Sequence, residues 1–160
     1  CALPICPSSS SGGTQYLHKG NFVRCKGFFS PLSYRPSAEQ PDADYPLILT
    51  TGRSAFHYHT GTMTRVSPSL HAEMPEGSLE MHPEDGGRLG VRQGEKVKVA
   101  SRRGEIVAKV ILTDRVEPGV VFMPFHFAET CANILTNPAH DPTAKIPEYK
   151  VCAVKVEKAA

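Results

Sequence analysis

The stretch Thr50–Arg65, TTGRSAFHYHTGTMTR, holds five threonines, two glycines, two histidines and two arginines directly after the apolar run YPLIL. Such residues give little to a core. Their hydroxyls, backbone donors and cations suit a phosphate-bearing ligand. Thr51, Gly52 and Arg53 stand where a strand would end, and a glycine there lets a ligand approach the backbone. Arg53 can fork two donors onto phosphate oxygens. Thr60, Gly61, Thr62, Met63 and Thr64 have the composition of an anion-cradling nest. The spacing matches neither a P-loop nor a G-x-G-x-x-G fingerprint, so composition leaves a phosphate site and an ordinary polar loop both open. On a strand, His57 and His59 would share one face. No third ligand at metal-site spacing accompanies them, so hydrogen-bonding imidazoles near an anion fit better than metal ligation.

A second region, FMPFHFAETCANILTNP, sets His126 between Phe125 and Phe127, with Asn133 in a possible short helix. It is either an aromatic cluster at the core edge or a set of ring faces and one amide gripping a planar ring system. The segment KIPEYK places Tyr149 and Lys150 at the mouth of a last strand, where Lys150 is either solvated or part of the site. No nucleophile–base–orienter set and no paired carboxylates in an apolar setting occur. The residues predict binding of a ligand with phosphates and a flat ring, without bond-making by this chain itself.

Short strands must position these groups. YPLILTTG is a continuous apolar run ending in glycine, and SLEMH puts Leu79 and Met81 on one face. VSPSLHAEMPEG between them is turn-rich. PEDGGRLG predicts one short helix, with Pro83 at its first position, Glu84 and Asp85 at the positive end of the dipole and Gly90 as the stop. KVKVA turns through RRGE into IVAKVIL, with Val97 and Val99, then Ile106, Ala108, Val110 and Leu112, facing inward. VVFMPFHF follows Pro118–Gly119, and Val151, Ala153 and Val156 mark a closing strand. About six short strands and one or two small helices predict a compact, mainly β barrel. Residues 6–43 read as an extended N-terminal connector arm. Its serine–glycine run CPSSSSGGT and dense prolines leave room for one short hairpin, in which Phe22, Val23, Phe28 and Phe29 seek cover. Residues 44–160 form the domain.

With 160 residues, 40% apolar content and a formal net charge of +2, the chain has the size and composition of one globular domain. The charge is too small, and like charges too scattered, for a nucleic-acid surface. No apolar run reaches the ~18 residues of a membrane span, so direct membrane insertion is not expected and the cytoplasm is the default location, the periplasm staying open. Cys1, Cys6, Cys25, Cys131 and Cys152 form no C-x-x-C pair, which argues against zinc, iron–sulfur or a disulfide framework. The first residue is cysteine, as expected of a piece of a longer polypeptide. CALPI matches the translation of a sequencing adapter, and residues 1–5 are set aside on that ground.

The pieces YPLILTTGR, HYHTGTMTR, PEDGGRLGVRQGEKVKVASRRGE, DRVEPGVVFMPFHFAE and NILTNPAHDPTAKIPEYKVCAVKVE resemble the C-terminal domain of molybdopterin oxidoreductases. Within that family they are most similar to the formate dehydrogenase α subunit, over about Cys6 to Glu157. The resemblance implies a double-psi β-barrel with a few short helices that caps a bis(molybdopterin guanine dinucleotide) cofactor carrying molybdenum or tungsten. It implies that Thr51, Gly52 and Arg53 line a pterin or phosphate position, with His57 and Thr60–Thr64 along the dinucleotides. His126, Phe127 and Asn133 would form the far wall, with Tyr149 and Lys150 closing over. It places the metal ligand, the catalytic histidine and a [4Fe–4S] cluster in upstream domains of the same polypeptide, with electron-transfer subunits as further partners. The family usually has His-Pro before Gly-Thr where this chain has Ser11–Gly12. Two rival readings are the same domain of a nitrate reductase, and a cofactor-free double-psi barrel serving as an adaptor in large ATPases.

Overall fold

The computed structural model describes residues 18, 20–22 and 25–159. Residues 1–5, the run Cys6–Thr14 and Val23 lie outside them. Backbone contacts divide the chain into Cys1–Arg35 and Pro36–Ala160. In the first unit the expected hairpin is a single antiparallel bridge between Phe22 and Cys25, with the His18 and Phe22 rings 4.8 Å apart.

In the second unit six strands close into a barrel in the order β1-β5-β2-β4-β3-β6, the double-psi β-barrel. The strands are β1 (Leu47–Gly52), β2 (Ser78–Met81), β3 (Lys96–Ala100), β4 (Glu105–Leu112), β5 (Val120–Pro124) and β6 (Cys152–Lys158). Two pairs are parallel, β1 with β5 and β2 with β4, and the other four seams are antiparallel. Closure leaves no unpaired strand edge. Helix α1 (Pro68–Glu73) and helix α2 (Pro83–Leu89) lie between strands.

Alternation decides which side chains fill the interior. Leu49, Leu79, Met81, Val97, Val99, Val110, Val121, Met123 and Val154 are completely buried. Each side chain of this size contributes about 1.5–3 kcal/mol by leaving water. The expected inward sets on β2, β3 and β4 all fall in this core, Leu112 only at its margin. The closing strand differs from expectation. Val151 precedes it and is half-buried, whereas Cys152, Ala153, Val154 and Val156 are buried. Val151 instead offers its carbonyl to Asn137 Nδ2 at 2.6 Å. Burial pushes the Cys152 thiol up to about 11, which makes it an inert packing group.

Helix α2 starts at Pro83 and is followed by Gly90 at φ 66, as the sequence suggests. Its buried Asp85 bonds Arg88 and accepts from the Gly119 backbone at 2.7 Å, so the helix pins the turn before β5. Helix α1 falls in the stretch read as turn-rich; it buries no residue, so no apolar stripe announces it. Residues 36–45 are bound to the barrel by charge. Arg102 pairs with Glu39 and Asp42 and lies 4.6 Å over the Tyr45 ring, and Arg103 pairs with Glu39. Burial opposes ionisation of Glu39, yet hydrogen bonds from Arg103 and Arg102 outweigh it and hold the carboxyl below its ordinary value.

Leu79→Ala removes a fully buried side chain from the centre of the barrel. The expected loss is about 2–5 kcal/mol of unfolding free energy, read as a lower urea midpoint at unchanged slope.

Candidate functional site

Strand register builds the site. Because β1 and β5 run parallel with Gly52 opposite Pro124, both strands end at the same pole of the barrel. Strand β6 runs antiparallel to β1 with Cys152 opposite Leu49, so its entry segment reaches that pole as well. Three chain segments separated by about seventy and about thirty residues in sequence thus converge there.

Hydrogen bonds fasten the three together. Thr51 Oγ1 donates to the Tyr149 carbonyl at 2.7 Å, and Lys150 Nζ donates to the Thr51 carbonyl at 2.6 Å. Phe125 N donates to the Gly52 carbonyl at 3.2 Å, and Ser54 N donates to His126 Nε2 at 2.7 Å. Gly52 is required by its neighbour, since a Cβ there would lie 2.4 Å from Phe122 Cε2. Asn137 braces the third segment through Nδ2 bonds to Glu148 and Val151 carbonyls.

Above these contacts lies a cleft of about 400 Å³ lined by Arg53, His59, Phe125, Asn133, Thr136 and Tyr149, with Pro147 at its edge. This is within the size range of small-molecule sites. The Arg53 guanidinium stands 6.0 Å from the Phe125 ring centre, and Lys150 stands 5.2 Å from the Tyr149 ring. Neither cation forms an ion pair among the described residues. The Arg53 guanidinium free of carboxylates, two aromatic faces and the Asn133 amide suit a ligand that carries both phosphate and a flat ring, with Lys150 at the seam below.

The family model for the molydopterin dinucleotide binding domain matches residues 47–153, which span the whole barrel up to β6 and every residue of this cleft. The chain belongs to this family. It is 52% identical over 155 residues to the F420-dependent formate dehydrogenase 1 subunit alpha of Methanococcus maripaludis. It is equally similar to the F420-dependent formate dehydrogenase subunit alpha of Methanocaldococcus jannaschii. Each match covers 96% of this chain and 23% of the relative, so the chain spans about a quarter of the length of these subunits. Acetylene hydratase from Pelobacter acetylenicus shares the fold, with a TM-score of 0.68 at 17% identity over 79% of this chain and 21% of that one. Among the described residues no helix is long and apolar enough to cross a membrane.

For a molydopterin dinucleotide binding domain, the residues expected at the ligand fall into three sets. Arg53, Asn133 and Tyr149 line the cleft, while Thr51, Gly52 and Lys150 form its base and seam. Thr60, Thr62 and Met63 lie on an exposed loop outside the cleft lining, with the Thr60 and Thr62 hydroxyls paired at 2.7 Å. Gly61 turns that loop at φ 72, packed against Arg65 and the His126 carbonyl. His57, His126 and Phe127 are buried beneath.

The two histidines of the motif part company. No strand forms there, and His59 adopts φ 48, a left-handed conformation that turns it outward while His57 is buried. Sequence reasoning offered His59 as an imidazole near an anion and Phe125 as a ring face without naming either as a cofactor contact, and it missed Thr136 and Pro147. It also missed Glu129, which takes both Arg65 amino groups at 2.7 and 3.0 Å. Arg65 further covers the Phe127 ring at 5.1 Å, so this cation is committed to the loop and not to a ligand.

The Arg65 hydrogen bonds hold the Glu129 carboxyl down at about 2 against an ordinary value of 4.5. The folded state therefore binds fewer protons than the unfolded one in this window, and stability from the pair rises with pH. It is complete above the ordinary carboxylate range and fades as pH falls toward about 2. Arg65→Ala should return Glu129 to an ordinary titration, followed through its carboxyl carbon resonance. The wild type should also lose more thermal stability than the variant on acidification across that window.

Proposed function

We propose that this chain is the cofactor-holding part of a molybdenum- or tungsten-dependent formate dehydrogenase, which oxidises formate to carbon dioxide. The observation that carries this reading is 52% identity across 96% of the chain to two formate dehydrogenase α subunits. Within it, the bound group is bis(molybdopterin guanine dinucleotide). When bound, the metal with its pterins supplies the two-electron chemistry, and formate yields carbon dioxide, a proton and two electrons.

The residues of this chain bind and orient. Arg53 and Lys150 offset phosphate charge, and they do so from a rim already organised by the Thr51–Tyr149–Lys150 clasp. Phe125 and Tyr149 cover a planar ring and exclude water from its faces, and Asn133 supplies an amide for a heteroatom edge. Thr60 to Thr64 extend the polar surface along the dinucleotide. His57, His126 and Phe127 shape the floor from below. Metal ligation, the catalytic histidine and a [4Fe–4S] cluster belong to preceding domains of the same polypeptide in this reading. F420, named for the relatives, is the electron acceptor, reached through electron-transfer subunits in the cytoplasm.

The test is the full-length subunit carrying this sequence, purified with its metal, its pterin and its electron-transfer subunits and assayed for formate-dependent F420 reduction. Full cofactor content without formate oxidation would overturn the substrate, and a purified subunit devoid of pterin would overturn the ligand. In the same protein Arg53→Ala is expected to lower bound metal and pterin while the thermal midpoint holds. A lowered midpoint at full metal content would make Arg53 structural. The 160-residue chain alone is expected to leave formate unchanged.

A further inference from the structure

His126 is 1% exposed and has no free ring nitrogen. The Ser54 backbone N–H can only donate, so Nε2 of His126 accepts from it at 2.7 Å and carries no proton. A neutral imidazole then bears its proton on Nδ1, which donates to the His59 carbonyl. One buried ring thus bonds the first and the last residue of the loop Ser54–His59. Arg53 immediately precedes this staple, and His59 is its far end; both line the cleft.

The middle of the same loop is tied down by its own imidazole. His57 Nε2 lies 2.7 Å from the Met74 carbonyl, an acceptor, so Nε2 carries the proton. Nδ1 pairs with the Thr64 hydroxyl at 3.1 Å, whose oxygen accepts from Tyr58 N at 3.2 Å. The two rings are 5.9 Å apart, and His126 is packed against Phe125 at 5.1 Å. A six-residue loop with few backbone bonds of its own therefore takes its shape from two buried histidines beneath it.

We propose that His126 is a positioning residue, which staples both ends of Ser54–His59 and so aims Arg53 and His59 into the cleft without itself touching the ligand. The proposal rests on the reading that this cleft takes the molybdopterin nucleotide, and it assigns His126 a role distinct from the ligand wall.

The test is a mutant cycle in the full-length subunit, with bound metal and oxidised-pterin fluorescence per subunit as readouts after gel filtration. His126→Phe keeps the volume and removes both bonds. In the wild-type background it should weaken cofactor retention roughly tenfold, as loss of an orienting partner does. In an Arg53→Ala/His59→Ala background the same change should add less than twofold, because a residue acting through others is not additive with them. His126→Gln, which keeps an acceptor toward Ser54, should recover part of the loss; it also serves if His126→Phe fails to fold. A full tenfold effect in the double background, or no recovery with glutamine, would overturn the role. If Arg53→Ala/His59→Ala itself leaves retention intact, the cleft reading falls, and the positioning role falls with it. The ring signature is read separately: nitrogen-15 spectra of histidine-labelled wild type should show His126 protonated at Nδ1 and bare at Nε2. The opposite tautomer would overturn the staple even with the cleft reading intact.

Discussion

The parallel pairing of β1 with β5 is the constraint on which the rest depends. Parallel strands end at the same pole, and a hairpin could not bring that about for neighbours in sequence. Sixty-six residues lie between Gly52 and Gly119, and the chain spends them building β2, α2, β3 and β4 before it returns. The intervening strands close the cylinder, and closure fixes where β6 must enter. The cleft is therefore a product of topology, and its side chains refine a position that the backbone has already set.

Rigidity at this pole comes mainly from bonds between side chain and backbone. Thr51, Lys150, Asn137 and His126 each reach a carbonyl or amide on a different segment. Such bonds hold loops that lack ladder partners, and they leave few polar groups of those loops unmet away from water. What remains uncommitted is correspondingly informative: Arg53 and the ring faces of Phe125 and Tyr149 have no structural duty comparable to that of Arg65.

Much of the barrel was legible because its strands alternate. Val97 with Val99, Ile106 with Ala108 and Val110, and Leu79 with Met81 each obey a period of two, and Gly90 and Pro83 bracket α2 as local chemistry dictates. Legibility failed where burial was not periodic. Cys152, Ala153 and Val154 are buried in succession, which blurs the start of β6. Helix α1 buries nothing and so leaves no pattern. At the site, residue types pointed to phosphate and a ring, but spacing could not show that His59 takes φ 48 and faces away from His57. Nor could it show that Arg65 is claimed by Glu129, 64 residues away. Both facts are set by contacts between segments, of which one sequence carries no trace.

The charged knot of Glu39, Asp42, Arg102 and Arg103 has a practical consequence for where this domain can be cut. An excised barrel begun at Tyr45 would contain all six strands, yet it would strand two adjacent guanidinium groups at the β3–β4 turn. A boundary at Pro36, where backbone contacts also thin out, keeps those charges matched and retains the Ala38–Glu148 bond at 2.9 Å that steadies the approach to Tyr149.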